Sequence, residues 1–163
     1  MATMTHLAEP LADNMRIIER TKIGRPAMKV WSYVIKPAYF QKWNKNIVSM
    51  EARDEFRIGQ PFTTHYKLGK KQTQCISVVM SIIEGSLLEL HHSNCVGTNG
   101  SSEMEVCERI VLKEHNGKTT VIKDVSVKNH GIPWIVVAII WFVTRFGRPT
   151  EPDRLKLMCE SDS

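Results

Sequence analysis

One run stands apart in the hydrophobic pattern of this chain: Ile132 to Val143 carries neither a charge nor a side-chain amide. A helix of that length covers roughly 18 Å, well short of the ~30 Å hydrocarbon core of a bilayer. The run therefore predicts a core or cavity-lining helix, not a membrane span. Its many β-branched residues (Ile135, Val136, Val137, Ile139, Ile140) also suit a buried strand. Helix is preferred over residues 133–146, because Pro133 stands near the first turn and Gly147 and Pro149 form a stop signal. At helical spacing Ile135, Ile139, Phe142 and Phe146 share one face, with Val136, Ile140 and Val143 beside it. Thr144 and Arg145 mark the least buried side, near Trp134 and Trp141.

The rest of the chain reads as short helices and alternating strands. Met15 to Ile23 mixes β-branched residues with charges and predicts a first strand. Gly24-Arg25-Pro26 breaks it, and Pro26 opens a helix to Val34 with Val30, Trp31 and Val34 at helical spacing. Pro37 opens a second over 38–43, with Tyr39, Phe40 and Trp43 on one side. Helices this short are marginal alone, so their aromatics need something larger to pack on.

From Ile47 the period becomes two, giving strands at 47–51, 62–68, 72–84, 87–94, 103–114 and 119–128. The predicted inward sets are Phe62, Thr64, Tyr66 and Leu68; Ile76, Val78, Met80 and Ile82; Leu88, Leu90 and His92; and Met104, Val106, Glu108, Ile110 and Leu112. The last strand shows no clean apolar face. Turns are predicted at Gly69-Lys70, Gly85-Ser86 and Asn116-Gly117. Residues 151–159 resume as a final turn or two, with Leu155 and Met158 packed down. The expected class is α+β: a curved antiparallel sheet of about seven strands wrapped around a C-terminal helix, with two short helices after strand one. It forms a single domain over 15–160, preceded by a leader at 1–14.

Composition adds limits. At 163 residues, 42% hydrophobic and 24% charged, the chain is of ordinary globular type. The net charge of +5 comes from dispersed Arg and Lys, which reads as a solvated surface and not a nucleic-acid stripe. Cys75, Cys95, Cys107 and Cys159 form no C-x-x-C pair, so zinc and thioredoxin-like motifs are absent. Cys75 and Cys107 fall in predicted strands as free thiols, and the first fourteen residues lack the pattern of an export signal. A reduced, cytoplasmic protein is expected.

Three stretches are similar to a known family. They are Arg25-Pro26-Ala27-Met28-Lys29-Val30-Trp31 with Tyr39-Phe40-Gln41-Lys42-Trp43-Asn44, then Gly59-Gln60-Pro61-Phe62, then Leu155-Lys156-Leu157-Met158-Cys159-Glu160. With the order of elements, they resemble the START-like (SRPBCC) superfamily of polyketide cyclase/dehydrase and lipid-transport type, the helix-grip fold shared with the birch-pollen allergen. Members often show Trp-Asn-Pro where this chain has Trp43-Asn44-Lys45. Their last helix is usually continuous, whereas Gly147, Pro149 and Pro152 interrupt it here.

The resemblance implies a cavity between sheet and last helix that holds a lipid, sterol or polyketide-like molecule. The residues predicted to line it are Phe62, Tyr66, Met80, Leu90, Met104, Val106, Trp134, Ala138 and Trp141. Glu108 and His92 stand in inward phase, where a polar group needs a partner. They are the candidate acid–base pair of a cyclase, dehydratase or hydrolase, with Tyr66 or Asp124 nearby. His91 and His92, adjacent in a strand, point to opposite faces and form no metal motif. No cofactor, metal or nucleic acid is expected. Binding of an apolar small molecule is the favoured function. The third reading is an interaction protein whose helix 133–146 meets a membrane surface or a partner, a second copy covering Trp134 and Trp141 in a homodimer.

Overall fold

The computed structural model describes residues 14–68, 71–98, 100–129, 131, 133–146 and 153–162. The expected leader, the Gly69-Lys70 turn and the Gly147/Pro149 stop signal fall almost wholly outside these residues. The alternating segments form β1 (Asn14–Ile23), β2 (Ile47–Glu51), β3 (Pro61–Leu68), β4 (Lys71–Ile83), β5 (Leu87–Gly97), β6 (Gly100–Ser102), β7 (Glu105–His115) and β8 (Lys118–Lys128). The helices are α1 (Ala27–Val34), α2 (Pro37–Trp43), α3 (Trp134–Phe146) and α4 (Arg154–Ser161). The strands pair antiparallel in the order β1-β8-β7-β5-β4-β3-β2, with β6 beside the end of β5. The sheet is strongly curved, and the fold is α+β of the helix-grip kind.

The inner face is filled at one end. Phe40 and Trp43 of α2 meet at 4.5 Å between centroids with their planes tilted by 57°, and Phe56 meets Phe40 edge-on at 5.4 Å. They pack with Val30, Trp31 and Val34 of α1 on Val79, Leu88, Leu90, Ile110 and Val121 of the strands. This is the larger body that the short helices required. Leu155 and Cys159 of α4 complete the cluster.

The C-terminal helix held in the core is thus α4. Asp153 caps it, accepting from the Lys156 amide at 3.2 Å, Thr21 Oγ1 at 2.6 Å and Lys123 Nζ at 2.7 Å. At its far end Glu160 Oε1 accepts from the Gly24 amide at 2.9 Å, and the Tyr33 hydroxyl donates to Asp162.

Three sequence expectations are corrected. The first is the phase of β4. Cys75, Ser77 and Val79 point inward, and Met80 is 57% exposed. Val79 pairs with Leu90 but Ser81 with Glu89, so Met80 is the extra residue of a bulge. One extra residue inverts the alternation. Ile82 therefore lies inward as expected, whereas Ile76, Val78 and Met80 do not.

The second is the thiols. Cys75 and Cys95 form a disulfide between β4 and β5, while Cys107 and Cys159 are free. A second bulge, at Asn94 (φ 49°), turns Cys95 inward opposite Cys75. The reduced-compartment reading loses the support it drew from Cys75.

The third is α3. It lies against β1 with Val137 buried, but Ile135 (54%), Ile139 (58%) and Phe142 (59%) are exposed. The face expected to be buried is the outer one. Trp134 and Trp141 belong to α3, and their side chains lie outside the description.

Candidate functional site

Beyond the filled end, the inner face carries a line of polar side chains. Tyr66 of β3, Ser77 of β4, His92 of β5 and Glu108 of β7 come from four different strands, and Thr64 sits one inward position from Tyr66. All five are buried. Each points inward for the same reason as its apolar neighbours: Glu108 alternates with Val106 and Ile110, and His92 follows Leu88 and Leu90 in phase.

Hydrogen bonds link them into one chain. Thr64 Oγ1 lies 2.6 Å from Ser77 Oγ, and Ser77 Oγ 2.6 Å from His92 Nδ1. His92 Nε2 lies 2.8 Å from the Tyr66 hydroxyl, which donates to Glu108 Oε1 at 2.8 Å. Asn44, just past α2, donates to Glu108 Oε2 at 3.2 Å. The expected Glu108–His92 pair is therefore brought together, with Tyr66 inserted between the two: their nearest atoms are 3.7 Å apart. Asp124 is not part of it, being ion-paired with Arg16 at 2.6 Å. His91 is on the opposite face from His92, with Glu105 at 3.6 Å.

Burial sets the charge states. It lowers His92 to a pKa of about 3, so the ring is neutral at ordinary pH. Burial and the Glu108 carboxylate push Tyr66 well above the usual phenol value. Burial also raises Glu108, against the opposing pull of the Tyr66 and Asn44 hydrogen bonds and the Lys123 charge. Lys123 itself is bonded to Asp153 and lies 5.1 Å from the centre of the Trp43 ring.

The apolar candidates divide. Tyr66, Leu90 and Val106 are buried on the inner face, and Phe62 and Met104 pack against the core from its margin. Ala138 is half-buried on α3. Met80 faces out. Next to Val106 and Glu108 the inner face continues as half-buried Val125 and Val127 of β8, paired with Ile17 and Met15 of β1. The open clefts of about 280 and 700 Å³ lie elsewhere, around Arg53, Glu55 and Arg57 of the 52–60 loop; of the expected lining residues, Phe62 borders the smaller one.

Sequence reasoning missed Ser77, Asn44 and the β8 strip. Ser77 was hidden by the inverted phase of β4. Val125 and Val127 were noticed, but no apolar periodicity assigned them a face; the unbroken pairing of β8 with β7 does so. Thr64 was legible beside Tyr66.

No family model and no curated protein matches this sequence. Solved structures do. A conserved protein from Geobacillus kaustophilus superposes with a TM-score of 0.63 at 14% identity, over 90% of this chain and 96% of its own. Ara h 8.0201 gives 0.60 at 14% identity, over 91% and 99%. DynU16, from the dynemicin biosynthetic locus, gives 0.52 at 18% identity, over 85% of this chain and 50% of its own. At these identities the likeness defines the fold alone, the helix-grip arrangement that the sequence resemblance implied. It leaves the function to be argued from the site.

Proposed function

We propose that the protein binds an apolar small molecule, of lipid, sterol or polyketide-like type, on the inner face between β7, β8, β1 and α3. One observation carries this reading. The inner face is packed solid at the α1–α2–α4 end but continues as the half-buried strip of Met15, Ile17, Val125 and Val127 beside Glu108. A strip of this kind is an apolar wall with a few placed polar groups, which is the usual make-up of a small-molecule site. Catalysis by the Glu108–His92 pair is less well supported. Both His92 nitrogens are engaged and the ring is fully buried, so it has no free atom for a substrate.

Native mass spectrometry of the purified chain tests the reading. A discrete mass adduct that organic extraction removes is expected, and Val106→Trp, which fills the strip, should abolish it. An adduct-free protein that also fails to take up added lipid would count against binding.

A second reading is favoured by α3. Ile135, Val136 and Ile139 expose one continuous apolar row, the kind of patch that marks a contact surface. A peripheral membrane contact or a second copy of the chain would cover it. Sizing over a range of concentrations, and sedimentation with lipid vesicles, distinguish the two.

A further inference from the structure

The hydrogen-bonded chain behind Glu108 has a direction. The Thr64 side chain is fully buried, and among the described residues its hydroxyl meets a single polar side chain, that of Ser77. Its proton must point there, since any other orientation strands a buried donor. Ser77 then gives its own proton to His92 Nδ1, which leaves the single hydrogen of the neutral ring on Nε2. That hydrogen donates to the Tyr66 oxygen, and Tyr66 in turn donates to Glu108 Oε1. Asn44 supplies the second donor, at Oε2. Its amide orientation is fixed because its Oδ1 accepts from the Asn46 amide at 3.3 Å.

Every link therefore points toward Glu108, whose two oxygens both receive. A carboxylate has about four acceptor positions, so lone pairs remain for a further donor. Exposure is confined to the same end of the chain: Thr64, Ser77 and His92 have none, while Tyr66 (7%) and Glu108 (4%) retain some, Glu108 at the edge of the half-buried strip. The accepting end is the end that faces the proposed ligand site.

We propose that Glu108 anchors the polar head of the ligand, and that this head is a hydrogen-bond donor: an alcohol or a primary amine on an apolar body. The proposal rests on the reading of the inner face as a ligand site. An ionised carboxylate head would set two groups of acceptors against each other, and an ether offers no proton. The cation whose charge reaches Glu108, Lys123, is held by Asp153 and the Trp43 ring, so it does not clasp an acid instead.

The test uses the intact chain and four probes of one length: 1-dodecanol, dodecylamine, dodecanoic acid and dodecyl methyl ether. Titrations followed by ¹H–¹⁵N correlation spectra should show the alcohol and the amine binding roughly tenfold or more tighter than the acid and the ether, as a hydrogen bond to a charged group implies. Glu108→Gln, which exchanges one acceptor for a donor, should level the four. A long-range ¹H–¹⁵N spectrum of the unmodified protein checks the direction of the chain without any variant: His92 should carry its proton on Nε2. A proton on Nδ1 reverses the links from Thr64 to Tyr66 and overturns the proposal whatever the ligands do. Equal binding of all four probes overturns it while leaving the ligand site standing. Binding of none removes both.

Discussion

His92 sits where a titratable group couples directly to stability. Its ordinary pKa is 6.5 and burial lowers it to about 3. Between those values the unfolded chain takes up a proton that the folded chain refuses. The stability tied to the neutral ring is complete above pH 6.5 and is lost as the pH falls toward 3, by about 4–5 kcal/mol in all. Glu108 has the opposite sign: its pKa is raised above 4.5, so its contribution falls as pH rises through the folded value. Urea denaturation of the wild type and of His92→Gln at stepped pH separates the two. The gap between their stabilities should narrow steadily as pH drops from 6.5, because glutamine does not titrate. Parallel curves would mean that His92 is not buried in this way. Tyr66 is the link whose loss is felt on both sides. Tyr66→Phe leaves His92 Nε2 and Glu108 Oε1 without their bonds in a buried site and should cost about 2–4 kcal/mol, measured at pH 7. A cost within experimental error would show that the two groups find other partners.

At the scale of elements, the sequence was most readable where a strand runs unbroken. In β5 and β7 the inward sets Leu88, Leu90, His92 and Val106, Glu108, Ile110 followed from alternation alone, and with them His92 and Glu108 of the candidate site. In β4 the same rule failed, because a bulge at Met80 is a property of pairing with β5 and leaves no local mark. The C-terminal segments were misjudged for a related reason. Hydrophobicity ranked residues 133–146 as the core helix, yet the piece that reaches the core is α4, whose mean hydropathy is unremarkable but whose ends are bonded to β1, α1 and β8. Position was decided by polar latches that no periodicity displays. Two variants contrast these helices. Asp153→Ala removes the cap of α4 and the partner of half-buried Lys123 and should cost about 2–3 kcal/mol by thermal or urea unfolding. Ile139→Asp on the exposed row of α3 should change stability by less than about 0.5 kcal/mol. If the second variant is the more destabilising, α3 is buried in solution by something the isolated chain does not show.

For the molecule as a whole, the join between β4 and β5 is the middle of the sheet. On one side lie β7, β8 and β1, which carry the apolar strip and Glu108; on the other lie β3 and β2, with Tyr66. The polar chain crosses this join at Ser77–His92, and the Cys75–Cys95 disulfide crosses it one inward position away on β4. Both sulfurs belong to residues with no exposure, so a reductant reaches them only when the sheet opens there. The disulfide closes a loop with a sequence separation of 20 residues. Loss of that constraint on the unfolded chain corresponds to about 3 kcal/mol. The paired variant Cys75→Ala/Cys95→Ala should therefore unfold at lower urea concentration by that margin, less whatever the alanines lose in packing. Dithiothreitol should bring the wild type to a similar midpoint once it has been unfolded and refolded in its presence. In native buffer, alkylation of Cys75 and Cys95 by iodoacetamide after dithiothreitol should be slow and should accelerate with sub-denaturing urea, because opening limits the reaction. Immediate labelling in native buffer would place the two cysteines at the surface, or apart. It would also remove the crosslink that holds Ser77 and His92 in register at the centre of the site.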